Sequence, residues 1–200
     1  MLGTLRGEMK TIVLASSSPR RKEILEKTGL KFISDASDHE EVMNASRTPR
    51  ALARLLSRQK AKSMVSKYKN ALIIAADTFI QLGGELLGKP RTEEQAAQML
   101  MALSGKMHRV ITGFTIVDTD TGVAVSKSVE TKVFFKRVTM KEVESYIKSG
   151  EPLDKAGAYA IQGLGAVFVK RIEGDYFNVM GLPLSALVES LKRFGVHVLI

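Results

Sequence analysis

Residues 71–76 read ALIIAA, six apolar side chains without alternation, and Asp77 ends the run. A strand of this buried type is covered on both faces, so the chain must supply layers on either side of a sheet. At 200 residues, with 44% hydrophobic content and mean hydropathy near zero, it has apolar material for one sizeable core or two closely fused lobes.

The remaining pattern predicts a mixed α/β domain. Residues 11–15 (TIVLA) form a β-branched run that stops at SSSP, after which Ile24 and Leu25 keep helical spacing towards Gly29: strand, tight loop, helix. A short strand is expected over residues 30–34, then a polar, acidic loop to Ser46. Thr48-Pro49 opens a long helix, with Leu52, Leu55, Leu56, Met64 and Tyr68 on one face. Thr92 opens another, with Glu93 and Glu94 in its first turn and Gln95 as capping-box partner. From Val110 the text ITGFTIVD, TDTG, VETKVFF reads as a β-hairpin. Thr139 and Glu142 cap a short helix ending at Gly150. A Gly-rich loop and strand follow, then a helix over about residues 184–194 and a strand over 196–200. No linker, repeat or low-complexity tract divides the chain, so residues 1–200 are taken as a single domain.

Composition narrows the chemistry. With no cysteine, disulfides and thiolate metal sites are excluded, and only His39, His108 and His197 could offer imidazole. A hard cation held by carboxylates remains open. No stretch approaches a membrane span, and the start MLGTLRGEMK lacks the apolar core of a secretory signal; we expect a cytoplasmic, unprocessed protein. The net charge of +9 is uneven: of 30 Lys+Arg and 21 Asp+Glu, residues 1–70 hold 15 and 7. The N-terminal third therefore faces an anion, and charge alone fits nucleic acid and a small polyphosphate equally.

Ser16-Ser17-Ser18-Pro19-Arg20-Arg21 falls between the first strand and first helix, where free backbone N–H groups and the positive helix end point outward. With Ser18 as N-cap and Pro19 at N1, this is either an ordinary capped helix with a basic first turn or a phosphate cradle. Arginines at a helix start oppose the dipole, which favours a bound anion. Asp77, expected at the C-terminal edge of its strand, is either a turn residue or a carboxylate for a metal or a water proton. Lys89, in Gly88-Lys89-Pro90, is a solvated charge or a phosphate ligand. Lys60 belongs to a solvated helix face or to the site, and Glu40 or Glu41 to an ordinary loop or a metal's second carboxylate. Gln162 lies among Gly157, Gly163 and Gly165; it is a turn residue or a reader of a base edge. No Walker loop, GxGxxG, HExxH or GxSxG motif is present.

Taken together, LASSSPRRKEIL, AADTFIQLGGELLGKPRTEEQAAQMLMALSGKMHRVITG and SGEPLDKAGAYAIQGLGAVFVKRIEGDYFNVMGLPL resemble the Maf family over residues 14–184. Residues 1–9 read as an N-terminal extension. The resemblance implies an elongated, twisted mixed sheet flanked by helices, two lobes with a central cleft, similar to inosine triphosphate pyrophosphatases. It implies hydrolysis of a nucleoside triphosphate to a monophosphate and pyrophosphate with Mg²⁺ or Mn²⁺. Carried over by motif, Ser16, Ser18, Arg20 and Arg21 bind phosphates and Asp77 is the general base; Glu41, Lys60 and Lys89 complete the catalytic set, with Glu41 and Asp77 as metal ligands. Glu40 is adjacent to Glu41 and could replace it. Lys155, from DKAG, joins the substrate pocket. Thr78 and the string AYAIQG place the chain in the branch that acts on dTTP and UTP, with Arg20, Thr78 and Gln162 as selectivity residues. The same chemistry on a modified or noncanonical nucleotide, and a nucleic-acid-binding or cell-division role, stand as alternatives. Nucleic acid is not expected as the primary partner, because the acidic loop and Asp77 would repel a phosphate backbone without a metal. A homodimer is left open.

Overall fold

A computed structural model of the chain describes residues 10–36 and 47–199. The apolar run around residue 73 is the centre of a seven-stranded mixed sheet ordered β2-β1-β3-β5-β6-β7, with β4 also on β3. The strands are β1 (Thr11–Leu14), β2 (Phe32–Ser34), β3 (Ala71–Leu82), β4 (Glu85–Leu87), β5 (Met107–Asp118), β6 (Ala124–Phe135) and β7 (Val169–Glu173). The helices are α1 (Pro19–Glu26), α2 (Pro49–Ser63), α3 (Glu93–Leu103), α4 (Met140–Ile147), α5 (Tyr176–Met180) and α6 (Leu184–Leu191). No described helix is long and apolar enough to cross a membrane.

Alternation along the inner strands assigns the layers. Ile12 and Leu14 of β1 and Leu72, Ile74 and Ala76 of β3 enter one core with α1, α5 and α6. Val13, Ala71, Ile73 and Ala75 face the other way, onto Ala61 and Met64 at the end of α2. A separate core built on Ile80, Leu100, Val133, Tyr146 and Phe168 fills the second lobe, around α3 and α4. The two-lobed expectation thus has a physical counterpart in separate apolar clusters along one sheet. Helix α2 lies so close to β5 that a Cβ on Gly113 would stand 2.1 Å from the Ala53 carbonyl oxygen. Only glycine permits that approach.

Several local expectations are corrected. β3 does not end at residue 76 but runs on to Leu82, its second half paired with β5 through Asp77↔Gly113 and Thr78↔Thr112. Residues 196–199 form no strand; Leu199 is 91% exposed, and an alternating pattern without a partner strand gains no ladder. Tyr68 lies beyond α2, after a 3₁₀ turn at Val65–Lys67, and bonds Asp35 rather than extending the helix face. Leu55 is only half-buried. Thr92 caps α3 through the Gln95 N–H, but the Gln95 side chain accepts from Arg91 instead of closing the box. The complete box forms at Thr139 and Glu142.

Candidate active site

The site arises where the sheet loses a strand. On the edge of β3 away from β5, β1 pairs only as far as Leu14↔Ile74, and β4 begins only at Ile80↔Leu87. Among the described residues, positions 75–79 of β3 therefore have no strand on that side beyond one bond from the Ala15 N–H to the Ile74 carbonyl. Into this gap the chain turns from β1 into α1, bringing Ser16 to Arg21 beside Asp77 and Thr78. A cavity of about 480 Å³ opens there, lined by that whole turn and by Lys60, Asp77, Thr78, Lys89 and Asp154.

Strand alternation separates the two central side chains. Asp77, in phase with Ala71, Ile73 and Ala75, faces α2, where Lys60 Nζ lies 2.5 Å from its Oδ1. Both side chains are largely buried, at 13% and 7% exposure, so the pair is a charge-assisted bond in a sheltered place. Thr78 faces α1 and α5, and its Oγ1 takes a bond from Arg21 Nη2 at 3.2 Å and exchanges one with Thr112 at 2.9 Å. The expectation that Asp77 projects from a strand terminus is replaced by this: it sits mid-strand, at an edge made open by the shortness of β1.

The two arginines have different roles. Arg21 is held by its fork, with Nε donating to the Gly181 carbonyl at 2.8 Å, Nη2 to Thr78 and Nη1 to Ser16 Oγ at 3.5 Å. Gly181, at φ 110°, caps α5 in a conformation that L side chains rarely adopt. Arg20 points across the cavity, its Nη1 3.8 Å from the Asp154 carboxylate. Ser18 is the N-cap of α1 by position, but its side chain makes no capping bond; Ser16 Oγ instead accepts from the Ser18 N–H at 3.1 Å. Lys89 is exposed at the cavity rim, and no described residue bonds it.

A narrower cavity of about 110 Å³ continues past Arg20, Arg21 and Lys89 between the lobes. Its walls change from cationic to apolar: Ile80, Val110, Ile161 and Met180 join Tyr159, with Lys155 and Gln162 at its polar edge. Gly157, at φ 69°, brings this segment onto β3, where a Cβ would stand 2.4 Å from Ile80 Cδ1. Lys155 Nζ bonds the neighbouring Asp154. Burial works against ionisation of Asp154, but the bond and charge of Lys155 and the charge of Arg20 hold its carboxyl below the ordinary range.

Ser16, Ser18, Arg20, Arg21, Lys60, Asp77, Thr78 and Lys89 are thus brought round one cavity, and Lys155 and Gln162 line its extension. Glu40 and Glu41 lie outside the described residues. Asp154 was not singled out from the sequence, although its place beside Lys155 in EPLDKAG was a signal. The carbonyl of Gly181 and the carboxylate of Glu23, which bonds Gln162, were also missed; neither carries a sequence mark of its own. Among the described residues no three His, Cys, Asp or Glu side chains converge as a metal cluster.

Comparison with known proteins gives the family. The family model described as "Maf-like protein" matches residues 11–194. The chain belongs to the Maf family. A family member from Geobacillus sp. (strain WCH70), named dTTP/UTP pyrophosphatase, is 50% identical over 188 residues, covering 94% of this chain and 100% of that protein. Proteins of the same name from Methanosarcina barkeri and Desulforamulus reducens are 44% and 43% identical, covering 95% of this chain and 97% and 100% of theirs. The matched span takes in both lobes of the Maf fold and the whole turn, strand and loop set that lines the cleft.

Proposed function

We propose that this chain hydrolyses dTTP and UTP between the α and β phosphates, releasing pyrophosphate and the nucleoside monophosphate. The carrying observation is the junction of two unlike cavities: a cationic one holding the buried Asp77–Lys60 pair, and an apolar continuation edged by Gln162. A polyphosphate suits the first and a flat base the second. The names of relatives at 43–50% identity over nearly their full length support the same reading.

In this reading the triphosphate lies across the β1–α1 turn. Ser16 and Ser18 offer hydroxyls, the turn offers backbone N–H groups, and Arg20, Arg21 and Lys89 meet the negative charge. Asp77 orients and deprotonates the attacking water, and Lys60 keeps its carboxylate in place. The fixed cations stabilise charge that builds on the leaving pyrophosphate. Lys155 anchors the substrate from the polar edge of the narrower cavity. Arg20, Thr78 and Gln162 select the nucleotide.

The donor set suits a hard divalent ion such as Mg²⁺ or Mn²⁺. Asp77 brings a carboxylate into the cavity, and Mg²⁺ is commonly held by one or two carboxylates together with substrate phosphates. Glu41, from the acidic segment outside the described residues, is the proposed second ligand. A bound ion would neutralise phosphate charge and polarise the α phosphoryl group.

The test is a panel of nucleoside triphosphates with Mg²⁺ or Mn²⁺, with pyrophosphate and orthophosphate followed separately. Pyrophosphate release, fastest from dTTP and UTP, is expected. Orthophosphate as first product, or preference for a purine nucleotide, would overturn the proposal.

A further inference from the structure

Gln162 edges the narrower cavity, and one end of its side chain is already engaged. Its Nε2 lies 2.8 and 2.7 Å from the two carboxylate oxygens of Glu23 on α1. An ionised carboxylate only accepts hydrogen bonds, so the amide end that faces it must be the donating NH₂. The carbonyl oxygen is the end left over, and it has no hydrogen-bond partner among the described residues.

The backbone on both sides of this contact is anchored, while the two side chains themselves stay partly exposed. Glu23 lies two residues after Arg21, whose guanidinium is clamped to Gly181, and Lys27 Nζ stands 3.6 Å from Glu23 Oε1 one turn along α1. The backbone around Gln162 is tied to α4 and the turn after it. The Ala160 N–H donates to Tyr146 Oη at 3.2 Å, and the Leu164 and Gly165 N–H groups donate to the Glu151 carboxylate at 2.9 and 3.1 Å. A Cβ on Gly163 would stand 2.2 Å from that carboxylate. Burial opposes ionisation of Glu151, yet the bonds from Tyr146, Gly165 and Leu164 hold its carboxyl below the usual range. Gln162 therefore has a set backbone, and its amide NH₂ meets the Glu23 carboxylate.

We propose that Glu23 is a positioning residue for base selection: it holds the Gln162 NH₂ on α1 so that the carbonyl oxygen is presented to the base. An acceptor there suits uracil and thymine, which carry an N–H donor at ring position N3. Cytosine has a lone pair at the same position, so two acceptors would face each other, and a site built for a donor rejects a ring that lacks it. This rests on the pyrimidine triphosphate reading above.

The test compares kcat/KM for UTP and CTP in the full chain and its variants. Glu23→Ala frees the amide to face either way and should lower the UTP-to-CTP ratio by about five- to tenfold, mostly through KM, the worth of one net hydrogen bond. Glu23→Lys offers only donors, so the carbonyl turns towards it and the NH₂ towards the base. That variant should shift the ratio further towards CTP than alanine does. Adding Gln162→Glu to Glu23→Lys restores a held acceptor and should return the preference for UTP. Thermal melts accompany each variant; if Glu23→Lys does not fold, Glu23→Ala decides. Equal losses on both nucleotides, or an unchanged ratio, would overturn the role of Glu23. A wild-type chain that turns over UTP and CTP equally would overturn it too. A chain releasing pyrophosphate from neither dTTP nor UTP would instead overturn the pyrimidine reading beneath it.

Discussion

Replacing Asp77 with asparagine separates proton transfer from placement. Asp77 is 5% exposed, lines the larger cavity and has the Lys60 ammonium 2.5 Å from its Oδ1. Asparagine keeps the shape and one acceptor for Lys60, so the strand register and cavity walls should survive. What disappears is a group able to take a proton from water and, in the proposed metal set, one charged ligand, so kcat is read at saturating Mg²⁺. A positioned base contributes about 10²- to 10⁴-fold, or roughly 3 to 5 kcal/mol of barrier at 1.36 kcal/mol per decade. The loss should therefore appear in kcat by that factor. The proposed phosphate ligands Arg20, Arg21 and Lys89 are untouched and one negative charge is gone from the cavity, so metal-free nucleotide affinity should hold or tighten, while Mg²⁺, which loses one proposed carboxylate ligand, should bind more weakly. Stability should drop by about 1 to 3 kcal/mol, because the Lys60 ammonium exchanges a charged acceptor for a neutral one in a sheltered place. Steady-state pyrophosphate release, nucleotide binding by calorimetry and a thermal melt on one preparation give all three quantities. A kcat within about threefold of wild type, or a loss wholly in affinity, would refute the assignment of Asp77 as base.

Other sites give independent tests. Gly113→Ala drives a Cβ to 2.1 Å from the Ala53 carbonyl oxygen, backbone against backbone; it should cost about 3 kcal/mol in urea unfolding and reduce activity by displacing α2 and Lys60. Arg21→Lys keeps charge but not the fork that spans Gly181, Ser16 and Thr78, and should lower stability by about 1.5 to 3 kcal/mol with raised KM, measured by urea midpoint and kinetics. His108 is 1% exposed, bonds Tyr159 Oη at 2.8 Å, and burial pushes its pKa from 6.5 down to about 4. Because the unfolded chain takes the proton first, the stabilisation is complete above about pH 6.5 and is lost as pH falls towards about 4, a change of roughly 3 kcal/mol in unfolding free energy. His108→Gln should flatten that slope in melts across the window, and an unaltered slope would show that His108 is not its source.

The parts of this fold that could be read from the sequence are those fixed by neighbouring residues. The β1–α1 turn follows from a β-branched run meeting Ser-Pro, the box of Thr139 and Glu142 from their spacing, and the β5–β6 hairpin from the Gly-containing TDTG turn and the alternating VETKVFF arm after it. What escaped depends on distant partners. Nothing local says that β3 continues through a carboxylate; that requires β5 on one side, Lys60 above Asp77, and a β1 that stops at Leu14. The same holds for residues 196–199, where alternation without an adjoining strand leaves loop. The described motif residues line one cavity and its extension, yet their divisions of labour do not appear in the strings. Arg20 and Arg21 are adjacent, but only Arg21 meets the Gly181 carbonyl, because the side of α1 it occupies faces α5. Gln162 and Glu23 are 139 positions apart and become a pair only once both lobes close on the cavity.

The account stands on water activated at Asp77 attacking the α phosphorus, and isotope labelling reads that step directly. In ¹⁸O-enriched water with dTTP as substrate, mass spectrometry should find the label in the thymidine monophosphate and none in the pyrophosphate. Label in the pyrophosphate, or orthophosphate as the labelled product, would contradict it.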